Sequence, residues 1–139
     1  MKLKTILENI TIKYTKPNFN REWDEATRYP ELKKMGKNRW LKFASNNFDI
    51  KSFSKINSVL GNVDLDYDSL EDSKKERFES AFKNGKVEMP IAVKFSNTDY
   101  DLLSGNTRLA GLAKNNVDSK IWIIDMSNLQ EYIKMKRKE

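Results

Sequence analysis

The sequence predicts an α+β fold, in which a small mixed sheet is flanked by helices and preceded by a helical N-terminal extension. Three observations predict it. Apolar residues recur at helical spacing in the first half of the chain. A β-hairpin pattern and a β-prone apolar run occupy the last third. The length of 139 residues fits one compact core. We expect a helical extension over 1–60 and the mixed domain over 61–139.

In the first half, helix signals alternate with residues that end helices. Pro30 is suited to begin a new helix rather than continue one, and Gly36 interrupts the pattern. The predicted elements are a helix over 21–29, a new turn from 30, a short helix ending near 46–47, and a helical stripe over 53–60.

The second half is more regular. Residues 62–69 alternate polar and apolar side chains, which fits a short strand or an extended loop. The remaining predicted elements are a helix from 69 to 84, hairpin strands over 90–95 and 100–103, a helix over 107–114, a buried strand over 120–125, and a last helix to about 136.

Composition excludes several kinds of chemistry. The chain has no cysteine and no histidine. Disulfide scaffolds, thiol catalysis and cysteine or histidine metal sites are therefore excluded. Asp, Glu, Lys or Tyr must supply any acid–base group, and Mg²⁺ held by carboxylates and substrate phosphates remains open.

Charge and hydropathy bear on partners. No apolar run approaches the ~20 residues of a membrane helix, and the start lacks a secretory signal, so we expect a cytoplasmic protein, in a host cell if phage-encoded. The net charge is +6, and residues 1–47 hold 11 Lys or Arg against 5 Asp or Glu. This basic excess suits a polyanion such as DNA; a solvated surface is the alternative.

One turn combines the features of a phosphate site. The run Ser104-Gly105-Asn106-Thr107-Arg108 joins a predicted strand directly to a predicted helix. Gly105 permits a close ligand approach, and Asn106 is a good N-cap. The first helix amides form an anion site, to which Ser104 and Thr107 add hydroxyls and Arg108 a guanidinium. The alternative is an ordinary strand–helix connection with Arg108 on the surface.

The surroundings of this turn resemble the ParB/sulfiredoxin superfamily. The resemblance spans about residues 61–126 and rests on 83–95 (KNGKVEMPIAVKF), 100–112 (YDLLSGNTRLAGL) and 121–124 (IWII). It implies a ParB/sulfiredoxin-like fold that binds a nucleotide with its phosphates at the helix N-terminus. The implied binding residues are Ser104, Gly105, Asn106, Thr107 and Arg108, with Pro90 and Ile91 shaping the pocket wall.

The chain departs from the family pattern at positions that some activities of the family require. Sulfiredoxins need a cysteine beside the turn glycine, where this chain has Asn106, so that activity is excluded. Thr107 replaces a second arginine common in chromosome-partitioning ParB turns, and the long DNA-binding and dimerisation regions are missing. Small stand-alone members of the family include free-serine kinases and phage or plasmid proteins labelled as nucleases.

Several acidic residues are candidates for catalysis. Asp64, Asp66 and Asp68 alternate and would share one face of a strand. By resemblance to the kinase-like members, Asp66 and Asp68 are candidates for a base or for Mg²⁺ ligands, and Glu88 is a further catalytic candidate. The alternative is a solvated acidic loop.

Basic residues of the first half form a candidate nucleic-acid surface. Aromatic residues accompany them, but Trp23 and Trp40 are expected in the core. The basic candidates are Lys33, Lys34, Lys37 and Arg39.

The sequence therefore predicts a protein that binds ATP or another nucleoside triphosphate with Mg²⁺. It would act as a phosphotransferase (kinase) or NTPase on a hydroxyl acceptor, which could be carried by DNA. Two alternatives stay open: a non-catalytic DNA-binding protein of the ParB-like class, and a metal-dependent nuclease.

Overall fold

The computed structural model describes residues 11–127 and 129, which form a mixed α+β fold with a small mixed sheet flanked by helices. The helices are α1 (Trp23–Ala26), α2 (Pro30–Met35), α3 (Lys37–Asn46), α4 (Phe53–Ile56), α5 (Asp72–Lys83) and α6 (Asn106–Lys114). The strands are β1 (Lys13–Thr15), β2 (Phe48–Ser52), β3 (Leu60–Gly61), β4 (Lys86–Glu88), β5 (Ile91–Ser96), β6 (Asp99–Ser104) and β7 (Lys120–Asp125). No helix in this part of the chain is long and apolar enough to cross a membrane.

Five strands form the main sheet in the order β2-β7-β5-β6-β3. The central pair β5 and β7 is parallel, as is the pair of β3 with β6. The hairpin β5–β6 and the pair β2–β7 are antiparallel. A separate two-stranded parallel sheet joins β1 to β4.

Helices cover both faces of the main sheet. On the front face, which we define by Ile91, Val93 and Trp122, the sheet packs against residues of α1, α2 and α3. The Trp122 indole N–H donates to the carbonyl of Ala44 at 3.0 Å, which ties α3 to β7. The back face packs against α4 and α6 through residues including Leu109. The buried parts of β5 (91–93) and β7 (121–124) are continuous apolar runs, as expected for strands covered on both faces.

Most of the predicted elements are present. The hairpin is confirmed, β7 has the predicted bounds, and α2 begins at Pro30. The predicted helix over 53–60 is wrong in its second half, where Leu60 belongs to a strand. Residues 62–66 form no strand, and a single 3₁₀ turn follows at Tyr67–Ser69. The last predicted helix lies outside the described residues except for Leu129.

Residues before 61 also contribute strands, so the described part of the N-terminal segment is not wholly helical. It supplies β1, β2 and the first residue of β3, so the expected boundary between residues 60 and 61 falls inside a strand. The sequence analysis predicted no strand at β1, β2, β3 or β4. β1, β3 and β4 have only two or three residues, which is too short to establish a two-residue period. β2 lies between two segments that were predicted as helices.

Packing of α5 on α6 depends on one small residue. Phe78 is 3% exposed and lies directly over Gly111. A Cβ added at Gly111 would overlap three atoms of the Phe78 ring. Glycine is therefore required here by close approach of the two helices.

We expect Gly111→Ala to lower the free energy of unfolding by about 1–3 kcal/mol, because overpacking exceeds the ~1 kcal/mol gained in helix propensity. Urea unfolding followed by circular dichroism measures this. In a Phe78→Leu background the same substitution should be neutral or stabilising, because the ring is gone. Equal destabilisation in both backgrounds would contradict this packing.

Candidate functional site

A cleft of about 820 Å³ opens at the end of β6 where the chain enters α6. Its walls come from the loop before α1 and α1 itself, from the loop after β3, from α5, and from the strand-to-helix turn. The lining residues are Arg21, Glu22, Glu25, Arg28, Asn62, Val63, Asp64, Lys74, Arg77, Phe78, Ala81, Glu88, Leu102, Leu103, Ser104, Gly105, Asn106, Thr107 and Arg108. The five residues of the predicted phosphate turn thus all line one cleft.

The turn is held in a conformation that requires glycine. Gly105 has φ +94° and lies against Pro90, whose Cα would be 2.8 Å from a Cβ at this position. Ile91 is fully buried and opposite Ser104 in the β5–β6 ladder. Pro90 and Ile91 were expected to shape the pocket wall, but neither lines the cleft. They support the turn from behind instead.

The N-terminus of α6 opens into the cleft without a capping side chain. The N-cap residue is Gly105, not the predicted Asn106, and no side chain caps the helix. Leu109 donates the first intrahelical hydrogen bond of the turn to the Gly105 carbonyl at 3.0 Å. The amides that precede Leu109 have no intrahelical acceptor, so they carry a partial positive charge toward the cleft.

Asn106 braces the loop on the far side of the cleft. Its side-chain amide donates to the carbonyl of Asp64 at 2.8 Å, and its side-chain oxygen accepts from the Asp64 amide at 2.8 Å. Both polar groups of the Asn106 side chain bind the backbone of Asp64. Asn106 therefore holds this loop in place instead of capping α6, which is the role that the sequence predicted.

Ser104 also has an anionic partner. Its hydroxyl donates to Glu22 at 2.6 Å. Glu22 in turn accepts from Arg21 at 2.9 Å. The end of β6 is thereby linked to the segment that enters α1.

Glu88 is held between two arginines. Arg21 donates to both of its carboxylate oxygens at 2.7 Å, and Arg108 lies 3.4 Å away. The backbone amide of Asn18 adds a further bond at 2.5 Å. The Arg108 and Glu88 side chains are only 17% and 20% exposed, so this pair is largely withdrawn from water, whereas Arg21 is 49% exposed.

These contacts change the pKa values of the network. Burial alone raises the pKa of Glu88, but the hydrogen bonds from Arg21 and Asn18 and the charges of Arg108 and Arg21 outweigh it, so the pKa is lowered from 4.5. Burial lowers the pKa of Arg108, and the carboxylates Glu88 and Glu22 offset only part of this effect. Glu88 is therefore a carboxylate at neutral pH.

Of the three alternating aspartates, Asp64 lines the cleft, whereas the structure separates Asp66 and Asp68 from it. Asp66 and Asp68 are exposed and do not belong to its lining. Asp68 instead pairs with Lys114 at 2.8 Å, which lowers the pKa of Asp68. The shared strand face does not form, because this segment is a loop and a 3₁₀ turn. Within residues 11–127 and 129, no group of three or more possible ligand residues could hold a metal ion.

The predicted nucleic-acid residues lie elsewhere. Lys33, Lys34, Lys37 and Arg39 are all exposed on α2 and α3 and do not line the cleft. Trp40 is fully buried, and the half-buried Trp23 packs beside it with ring centroids 5.6 Å apart. The expectation of a core position is confirmed for Trp40, whereas Trp23 packs against the core from its margin.

Six charged residues of the cleft were not predicted from the sequence as cleft residues. Four of them belong to the segment that resembled no family, where their charges are typical of any solvated surface: Arg21, Glu22, Glu25 and Arg28. Lys74 and Arg77 share one face of α5 with Phe78, so a helical-wheel argument from the buried Phe78 could have placed them beside the cleft.

Comparisons with protein-family models, with curated proteins and with solved structures found no match. The family resemblance therefore stays a prediction. Function must be inferred from the geometry of the cleft.

We expect Glu88→Gln to lower the free energy of unfolding at pH 7 by about 1–3 kcal/mol, because Arg108 loses its nearest counter-charge. A carboxylate whose pKa is lowered by folding stabilises the protein above its unfolded pKa of 4.5, and the effect is lost as the pH falls through the folded value. The difference in free energy of unfolding between wild type and variant, measured by urea unfolding, should therefore become smaller below pH 4.5.

The matched control is Glu25→Gln. Glu25 pairs with Arg28 at 3.1 Å, but both side chains are about half exposed, so removing this charge should change stability by less than ~0.5 kcal/mol. If the loss of stability caused by Glu88→Gln stays constant from pH 7 to pH 3, the ionised carboxylate of Glu88 does not stabilise the fold as we infer.

Proposed function

We propose that the cleft binds a nucleoside triphosphate, such as ATP, with its phosphates at the N-terminus of α6, and that the protein is a phosphotransferase or NTPase. One observation carries the proposal: the uncapped end of α6 opens into a large cleft that five cationic side chains surround. Helix amides and arginines are the groups that proteins use to bind phosphates. The nucleotide is also what the ParB/sulfiredoxin resemblance implies.

Cations on opposite walls have different roles in this proposal. Arg108 and Arg21 are already bound to Glu88. Arg77 has no ion pair with a described residue, and Lys74 only a weak one at 4.0 Å to Glu71. Arg77 and Lys74 are therefore the cations best placed to meet a ligand that enters from solvent.

A phosphate would compete with Glu88 for Arg108. Both are anions that suit a guanidinium, and the 3.4 Å contact between Arg108 and Glu88 is longer than the 2.7 Å contacts made by Arg21. We therefore expect Arg108 to turn toward the phosphate while Arg21 keeps Glu88 in place. Glu88 is then the cleft carboxylate that can orient an acceptor hydroxyl.

The proposal includes Mg²⁺ only as a companion of the nucleotide. Mg²⁺ commonly binds through substrate phosphates with one or two carboxylates and several waters. No group of three or more possible ligand residues in the described part of the chain could hold a metal ion by itself, so in this proposal the nucleotide phosphates supply most of the Mg²⁺ ligands. Asp66 and Asp68, which were predicted as metal ligands, are accordingly not part of this proposal.

We expect Arg77→Ala to weaken binding of Mg²⁺–ATP by about tenfold or more, because a charge-assisted hydrogen bond contributes about 1.5–3 kcal/mol. Arg108→Ala should abolish both binding and turnover. Isothermal titration calorimetry and a phosphate-release assay measure the two effects.

Lys83→Ala is the control, since Lys83 is an exposed cation on the same helix outside the cleft. It should bind as wild type does. Thermal unfolding of each variant separates lost binding from lost fold. Nucleotide turnover that survives Arg108→Ala undiminished would refute the proposal.

A second candidate function rests on the surface of α2 and α3. Residues 32–48 contain five Lys or Arg and no Asp or Glu. Four of these cations (Lys33, Lys34, Lys37 and Arg39) are the exposed nucleic-acid candidates, and none has an ion pair with a described residue. We propose that this surface binds the phosphate backbone of DNA, with or without chemistry in the cleft.

We expect the combined Gln variant of these four residues to bind a DNA duplex more weakly and with a smaller salt dependence. The slope of log affinity against log salt should fall by roughly 0.9 for each phosphate that the variant no longer neutralises. Fluorescence anisotropy across a salt series measures it. An unchanged slope would show that this surface does not bind DNA. Nucleotide binding by the variant should be unaffected.

A further inference from the structure

The outer edge of β2 is an exposed, apolar strand edge. At the opposite edge of the sheet β3 has only two residues, whereas β2 has five. Phe48 is 43% exposed and Ile50 is 41% exposed, and they are two of the three exposed large apolar side chains in the part of the chain that the structure describes. Proteins usually protect such edges, because they template pairing with another strand.

The backbone of β2 is oriented for pairing through Ile50. The bonds that flank its ladder with β7 join Asn47 to Asp125 and Phe53 to Ser119. In an antiparallel ladder, hydrogen-bonding residues alternate, so Ile50 directs its N–H and C=O away from β7. The Ile50 amide donates to the side chain of Asp49 at 2.9 Å, and no described strand pairs with this edge.

We propose that a second copy of the chain adds its own β2 here, antiparallel, with a two-fold axis at Ile50. Ile50 would then exchange both backbone hydrogen bonds with the partner's Ile50, and Phe48 would lie opposite the partner's Ser52. The result is a continuous ten-stranded sheet across two copies. Such an isologous contact closes on itself, as most soluble homodimers do.

Charge complementarity within the strand favours a second copy over an unrelated peptide. Around Ile50 the sequence is Asp49-Ile50-Lys51, so the two-fold axis places Asp49 opposite the partner's Lys51 twice. Opposite charges at facing positions stabilise a strand pair, and like charges destabilise it. In the single chain Lys51 reaches Asp49 only at 3.9 Å, with the Asp49 side chain 65% exposed.

The apolar side chains also agree with this register. Phe48 and Ile50 share the front face, where the Phe48 ring stacks on Trp122 with centroids 3.8 Å apart. The axis would bring Ile50 against the partner's Ile50 beside this aromatic pair. Pairing therefore removes exposed apolar surface and gives the Ile50 amide a backbone acceptor.

Charge reversal tests the proposal. Sedimentation equilibrium of the full chain should show a concentration-dependent dimer. Asp49→Lys and Lys51→Glu should each raise the dissociation constant about tenfold or more, because every facing pair becomes repulsive. The double variant D49K/K51E should restore the dimer, and an equimolar mixture of the two single variants should form a heterodimer. Lys55→Glu, an exposed charge reversal on α4, is the control and should dimerise as wild type.

Disulfide trapping tests the register, since the chain has no cysteine of its own. Ile50→Cys should cross-link the dimer, because residues facing each other in a hydrogen-bonded pair have Cα atoms ~5.5 Å apart. Ser52→Cys should not, because the two copies of residue 52 lie about four positions apart along the strand.

Three results would overturn the proposal. They are a chain that stays monomeric at a concentration of about 100 μM, charge reversals that leave the dimer unchanged, and faster cross-linking at residue 52 than at residue 50. Capture of a different protein's strand at this edge by a monomeric chain would also overturn it. Circular dichroism of each variant confirms that the fold is retained.

Discussion

Burial of the parallel pair β5 and β7 on both faces is the constraint from which the rest of the structure follows. Ile91, Val93, Ile121 and Ile124 are fully buried. No single layer can cover two apolar faces, so helices must pack on each side. α1 to α3 cover the front face, and α4 and α6 cover the back face. The hairpin places β6 next to β5. The entrance to α6 is thereby fixed relative to both layers.

The cleft lies where these layers separate, and its electrostatics depend on both. Arg21 comes from the segment before α1, while Arg108 belongs to α6 and Glu88 to β4. Arg108 is only 17% exposed, and Glu88 supplies the carboxylate that pairs with its largely buried charge. Glu88 thus pairs with two of the cleft arginines and offsets part of the positive charge of the cleft.

Local sequence signals were sufficient to predict the hairpin, α6 and the turn between them. Each of these features is specified by residues within a few positions: a run of β-prone side chains, Gly105 at a left-handed position, and a helix that starts at once. The three-residue strands β1 and β4 were missed because they pair with each other about 70 positions apart along the chain. The same separation hid the contact of Arg21 with Glu88, since nothing near either residue identifies the other.

The sequence by itself determined the α+β class, the position of the strand-to-helix turn at Gly105 and the exclusion of cysteine and histidine chemistry, because these depend on composition and on short-range backbone preferences. Tertiary structure decided which charges share the cleft. It placed Asp66 and Asp68 outside the cleft and gave Asn106 a bracing role. It also brought three further arginines to the cleft: Arg21 and Arg28 from the segments on either side of α1, and Arg77 from α5. The physical reason is that electrostatic interactions act between neighbours in space, and packing of the two layers on one sheet selects those neighbours.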